Sequence, residues 1–227
     1  MNKLYFALSI MVFCISSCFS YSVPSQDGGL PDLLPPTSPV RFRLPIPGES
    51  IMQDFIIGMD LSNNAENAPD WSCLSSLGVN FPYCYSGHSG TDFILVNGWD
   101  GMDKGVPVYA TADGVVIAVD DSNYDRCSLD LSFQISCNGN EIVSNFITIQ
   151  HSNNIYTSYL HIRKHSARVS PGEEVKCGQI IAEVGSSGES AWPHLHFGVY
   201  EDNTPRDPYM GWWVGIGENR LPVEECR

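Results

Sequence analysis

A mainly β protein of antiparallel sheets with little helix is predicted by three features of the sequence. Short segments rich in β-branched and aromatic residues recur along the chain, turn signals separate them, and no window sustains the three-to-four-residue apolar period of an amphipathic helix. Gly105–Thr111, Gly114–Asp120, Asn145–Gln150, Ile155–His161, Gln179–Val184 and His194–Tyr200 read as strands. Asp113-Gly114, Asn138-Gly139 and Pro171-Gly172 supply turns between them, because Gly and Asn tolerate positive φ and Pro presets a turn dihedral.

Ahead of these strands, residues 1–22 carry Lys3, an apolar run from Leu4 to Phe13 and then small polar residues. This is the pattern of a secretory signal, too short for a durable membrane span. Ile15-Ser16-Ser17-Cys18 resembles the lipobox of bacterial lipoproteins, which would attach the chain to a membrane through a lipidated Cys18; ordinary cleavage further on is the other reading. Either places the protein outside the cytoplasm, in the periplasm or cell envelope or fully secreted. Residues 23–49 contain seven prolines, which exclude long helices and central strands, and read as an extended linker. The alternation of Val40, Phe42 and Leu44 offers the alternative of a segment wrapped over the domain. A single domain over 50–211 follows, then a tail over 212–227 that Cys226 could staple back.

The net charge of −14 argues against a nucleic-acid partner, since neutralising phosphates requires clustered Lys and Arg. It also opposes long-range attraction to anionic surfaces. Apart from Cys14 and Cys18, six cysteines remain in a chain bound for an oxidising compartment. Six cysteines allow fifteen pairings; short loops favour Cys73 with Cys84 and Cys127 with Cys137, leaving Cys177 with Cys226. No Cys-x-x-Cys occurs, so thiolate zinc ligation at its usual spacing is absent.

Histidines and one aspartate carry the chemistry. His88 and Asp92 flank Gly90 in a turn where both side chains can reach one point, and imidazole nitrogen and carboxylate oxygen are both zinc donors. His194 and His196 open a strand, so both imidazoles face one side while Leu195 and Phe197 face the other. His161 ends the strand Ile155–His161. Each piece alone is common on ordinary surfaces. Trp192, beside the histidine pair, has two readings, groove wall or packing.

Together the pieces match, in order and spacing, the lysostaphin-type zinc metallopeptidases, a family of peptidoglycan endopeptidases. The resemblance runs from Gly87 to Pro208 through His88-Ser-Gly-Thr-Asp92, Gly105-Val-Pro-Val-Tyr-Ala, Ala112-Asp-Gly-Val-Val, Ile149-Gln-His151, Tyr159-Leu-His161, Val169-Ser-Pro-Gly172, Gly185-Ser-Ser-Gly188 and Pro193-His-Leu-His196. It implies compact antiparallel sheets with an open groove over a single zinc ion bound by His88, Asp92 and His196, and His161 and His194 beside the metal as the catalytic pair. His151 matches a frequent family histidine with no chemistry assigned; His165 lies outside the pattern. The implied activity is hydrolysis of peptide cross-links or bridges in peptidoglycan. The alternative is a catalytically silent envelope protein that binds and regulates other wall hydrolases, against which stands the occupancy of all five positions. Two features depart from the family: an insertion from Tyr124 to Ile142 holding Cys127 and Cys137, and Cys177 at a place usually filled by another residue.

Overall fold

The computed structural model describes residues 39–60, 84, 85, 87–152, 154–217 and 220–227. Residues 1–22, read above as a secretory signal, with Cys18, and the first part of the Pro-rich stretch lie outside these. In chain order the elements are β1 (Ile51–Ile57), β2 (Thr91–Leu95), α1 (Gly98–Lys104), β3 (Pro107–Tyr109), β4 (Gly114–Asp120), β5 (Ser128–Leu129), β6 (Ile135–Ser136), β7 (Phe146–Ser152), β8 (Ile155–Leu160), β9 (Glu174–Val175), β10 (Ile180–Glu183), β11 (His194–Glu201) and β12 (Thr204–Arg206). The main sheet is ordered β1-β2-β11-β8-β7-β4-β9, with β12 added to β11. β3 pairs with β10 and β5 with β6, and every ladder is antiparallel.

All six predicted strands are present, Gly114–Asp120 with the same ends and the others with trimmed, shifted or extended ones. α1 was not foreseen: its seven residues, with two glycines, are too short to display an apolar period. Gly105 ends it in the left-handed conformation at φ 81°. β1 was missed because Gln53 and Asp54 interrupt its apolar run, and they lie on exposed positions.

Alternation separates the two faces of the central strands. Ile147 and Ile149 of β7, Ile155 and Tyr159 of β8, and Leu195, Phe197 and Val199 of β11 are buried on one side. Phe146, Thr148 and Gln150, Tyr156 and Leu160, and Tyr200 are half-exposed on the other. The first face packs a core in which each fully buried large apolar side chain contributes about 1.5–3 kcal/mol. The second is free to carry a groove.

In the described part of 23–49 the chain packs on the domain, the alternative that the alternation of Val40, Phe42 and Leu44 offered. Phe42, Leu44 and Ile46 are buried in the core, and the backbone of Phe42 bonds to Trp212 and Val214. Phe42 stacks on Trp212 and Phe197 stacks on Trp213, with ring centroids 5.9 and 5.3 Å apart. Phe42 and the Trp212–Trp213 segment therefore close the same buried face.

Two disulfides match the spacing-based pairs, Cys127–Cys137 and Cys177–Cys226. Cys84 is also disulfide-bonded, while Cys73 lies outside the described residues. Cys177–Cys226 spans 49 residues and ties the C-terminal strap to the β9–β10 turn. Replacing both cysteines by Ala is expected to lower unfolding free energy by about 2–4 kcal/mol, through freed chain entropy in the unfolded state. Urea titration checks this; a loss within error would mean the aromatic contacts alone hold the strap.

Candidate metal centre

The register of β2 against β11 sets Asp92 directly opposite His196, while their neighbours Phe93 and Leu195 turn into the core. Same-face partners across an antiparallel ladder have β-carbons only about 5 Å apart, so carboxylate and imidazole meet without long reach. His88 arrives on the turn before β2. Gly90 makes that approach feasible: a β-carbon there would lie 2.5 Å from the Phe197 carbonyl oxygen and 2.7 Å from His196 Nε2. Tyr85 stacks on the His88 ring at 4.4 Å, and His88 Nδ1 donates to the Gly58 carbonyl at 2.6 Å.

Because a carbonyl only accepts, the proton sits on His88 Nδ1 and its Nε2 points inward. That Nε2 lies 3.1 Å from Asp92 Oδ1 and 3.0 Å from His196 Nδ1, which lies 2.9 Å from the same Oδ1. All three residues are buried. In the chain alone ring protons can bridge these contacts as hydrogen bonds; with those protons lost, the three atoms are electron-pair donors close enough to share one cation, and two imidazoles with one carboxylate form a zinc-type donor set, so the residues could hold a metal ion.

Titration of the chain alone reflects the same crowding. Burial opposes charge on His88, yet the adjacent Asp92 carboxylate outweighs it and raises the pKa. Burial likewise disfavours the Asp92 carboxylate, but the charges of His88 and His194 and hydrogen bonds from His196 and His88 hold it well below its ordinary value. His196 is lowered, chiefly by burial.

His161 and His194 stand beside this triangle with ring centroids 4.5 Å apart, and His161 lies 6.1 Å from the His196 ring. His194 Nε2 comes within 3.7 Å of Asp92 Oδ1. His161 leaves β8 in the left-handed region at φ 63°, a conformation that costs a residue bearing a β-carbon about 1 kcal/mol and turns this side chain off the strand's alternation. Its Nδ1 donates to the Ser187 carbonyl at 2.6 Å, and that of His194 to the Trp192 carbonyl at 2.7 Å. In the neutral form of each ring this leaves Nε2 as the unprotonated nitrogen. Burial, then the neighbouring charges of His194 and His196, push the His161 pKa well below its ordinary value, so the ring is neutral at pH 7.

The five candidate residues are therefore brought together. The carbonyls of Gly58, Ser187 and Trp192, which orient three of the rings, left no trace in the sequence, since any residue supplies a carbonyl. His151 lies elsewhere: it bonds the Asp113 carbonyl and Thr157 at 2.8 and 2.7 Å, and burial lowers its pKa to about 4. His165 is exposed. Trp192 is 37% exposed and meets the edge of Trp99, and its ring presses on Gly98, where a β-carbon would come within 2.3 Å. It is a surface residue braced by α1.

Comparison with known proteins identifies relatives of this chain. Peptidoglycan DD-endopeptidase ShyB of Vibrio cholerae is 36% identical over 120 residues, covering 53% of this chain and 22% of the relative. Glycyl-glycine endopeptidase ALE-1 of Staphylococcus capitis is 32% identical over 126 residues, 53% of this chain and 28% of the relative. The chain thus spans about a quarter of the length of these curated relatives. A crystal structure of a zinc-containing peptidase from Vibrio cholerae superposes with a TM-score of 0.46 at 27% identity, covering 74% of this chain and 39% of the other. Residues 86–208 match the model of peptidase family M23, and with more than half of its length so matched the chain belongs to that family.

Proposed function

We propose that this protein is an exported zinc metalloendopeptidase that hydrolyses peptide bonds in bacterial peptidoglycan. The observation that carries the reading is the buried triangle of His88 Nε2, Asp92 Oδ1 and His196 Nδ1 with two Nδ1-anchored histidines beside it. A zinc ion held by those three atoms would act as a Lewis acid, acidifying a water and polarising the scissile carbonyl.

The chain's own groups supply the proton traffic. The unprotonated Nε2 of His161 or His194 accepts the proton of the attacking water and passes it to the departing amine, so bond formation at carbon and cleavage to nitrogen balance. The partner imidazole, when protonated, donates to the oxygen on which negative charge gathers. Low-dielectric surroundings strengthen both interactions. Export rests on residues 1–22, and the mass of the mature N-terminus distinguishes a lipidated Cys18 from cleavage further on.

The relatives are named for two specificities, a peptidoglycan DD-endopeptidase and a glycyl-glycine endopeptidase. The test is release of new amine termini from purified peptidoglycan of each type. We expect cleavage of at least one, abolished by a chelator and restored by zinc. Zinc-loaded protein that binds peptidoglycan yet releases no amine from either would replace the enzyme with a silent regulator.

A further inference from the structure

The loop joining β10 to β11 carries the Ser187 and Trp192 carbonyls that orient the two outer histidines, and its other side rests against the inserted segment Tyr124–Ile142. Cys127 N donates to the Ser186 carbonyl at 2.8 Å, and Ser186 N donates to the Asp125 carbonyl at 3.0 Å. From there a line of hydroxyl groups runs inward. Ser186 Oγ lies 2.8 Å from the Cys127 carbonyl oxygen and 2.7 Å from Ser190 Oγ, which lies 3.2 Å from His194 Nδ1. Ser186 and Ser190 are fully buried, so no water competes for these bonds.

The direction of the line follows from proton counting. The Cys127 carbonyl only accepts, so it takes the single proton of Ser186. Ser190 then gives its proton to Ser186 Oγ, its shorter contact, although the Trp192 carbonyl is also in reach at 3.0 Å. This leaves a Ser190 lone pair facing the Nδ1 proton of His194, which it shares with the Trp192 carbonyl. Each member is oriented by the next, and the far end is a backbone carbonyl of the insertion, whose base is closed by Cys127–Cys137.

We infer that the disulfide-closed insertion positions His194: Ser186 and Ser190 transmit its placement, keep the imidazole proton on Nδ1 and turn Nε2 toward the metal-binding triangle, 3.7 Å from Asp92 Oδ1. They are positioning residues, since neither touches the three metal-binding atoms. A histidine held by one acceptor can pivot about that bond, whereas two acceptors fix the ring plane. The kinetic part of this inference rests on the hydrolase proposed above; the geometric part does not.

The test uses Ser190→Ala, Ser186→Ala and the double variant Cys127→Ala/Cys137→Ala in the full chain. For each serine variant kcat is expected to fall roughly 10- to 100-fold with KM within about twofold and zinc retained, as for loss of groups that orient catalytic or ligating histidines. The cysteine variant shifts kcat in the same direction and by less, because the Cys127 carbonyl remains but its loop is freed. Independently of turnover, the low-field His194 Nδ1 proton signal of 15N-histidine-labelled protein should be visible in the parent and broadened by exchange in Ser190→Ala. Unchanged kcat in both serine variants, a kcat loss that only follows zinc loss, or an unaltered proton signal would overturn the inference. If the parent itself fails to hydrolyse peptidoglycan, the enzyme reading fails while the proton signal still decides the positioning role.

Discussion

Asp92→Ala should yield folded protein that holds no stoichiometric zinc and hydrolyses peptidoglycan only at background. Asp92 supplies the one anionic donor of the three and touches both others, at 3.1 and 2.9 Å. Without it two neutral imidazoles face a dication. A bound metal contributes several kcal/mol of transition-state stabilisation, and each 1.4 kcal/mol or so is tenfold in rate, so a loss of about 10³-fold or more is expected. Folding should survive because the apolar face of β2 and β11, Phe93, Leu195 and Phe197, stays packed, although the depressed Asp92 pKa means its carboxylate stabilises the chain alone at neutral pH and the metal-free midpoint should fall. The two effects separate in a thermal melt. Added zinc raises the parent's midpoint by mass action and leaves that of the variant unmoved. Asp92→Asn, which keeps the volume and removes the charge, should behave alike. His88→Ala should also lose the metal, and in addition frees the Gly58 carbonyl and the face of Tyr85. Elemental analysis showing a full complement of zinc in Asp92→Ala would remove this residue from the site.

How much of this was legible in the sequence depended on the range of the interaction. Period-two alternation revealed β7 and β8, which alternate between buried and partly exposed positions, and the same rule placed His194 and His196 on one side of β11 although nearly all of that strand is buried. The strap through Phe42 and Leu44 has the identical alternation, but prolines on either side masked it. Its partners, Trp212 and Trp213, lie some 170 residues along the chain, a pairing no local pattern contains. The five polar residues of the site were readable as residue types at ligand spacing and as a family resemblance. Their orientation was not: it depends on carbonyl oxygens and on one backbone torsion. At Gly90 the turn is also a close approach to β11, a contact that only the folded register creates.

That torsion bears on the second large effect, expected of His161→Ala. Zinc should remain at its normal content, since the ring is not among the three converging donors, while kcat falls about 10²- to 10⁴-fold, the range for removing a general acid or base. Backbone strain does not confuse the comparison: Ala carries the same β-carbon as His at φ 63°, and the Gly185 to His161 main-chain bond at 3.0 Å stays available. Loss of the ring frees the Ser187 carbonyl, which costs stability but does not reach the metal-binding atoms. His161→Asn is the sharper variant, because Asn tolerates the left-handed region and can still donate to that carbonyl, yet offers no nitrogen able to take a proton. Both substitutions should lower kcat alike if proton transfer is what the ring supplies; recovery in Asn would mean that it only braces the loop. The neighbour at 4.5 Å makes the double variant informative. Two histidines acting as one proton-handling unit give a His161→Ala/His194→Ala loss far smaller than the product of the single losses. A product of independent losses would assign the two rings to separate steps.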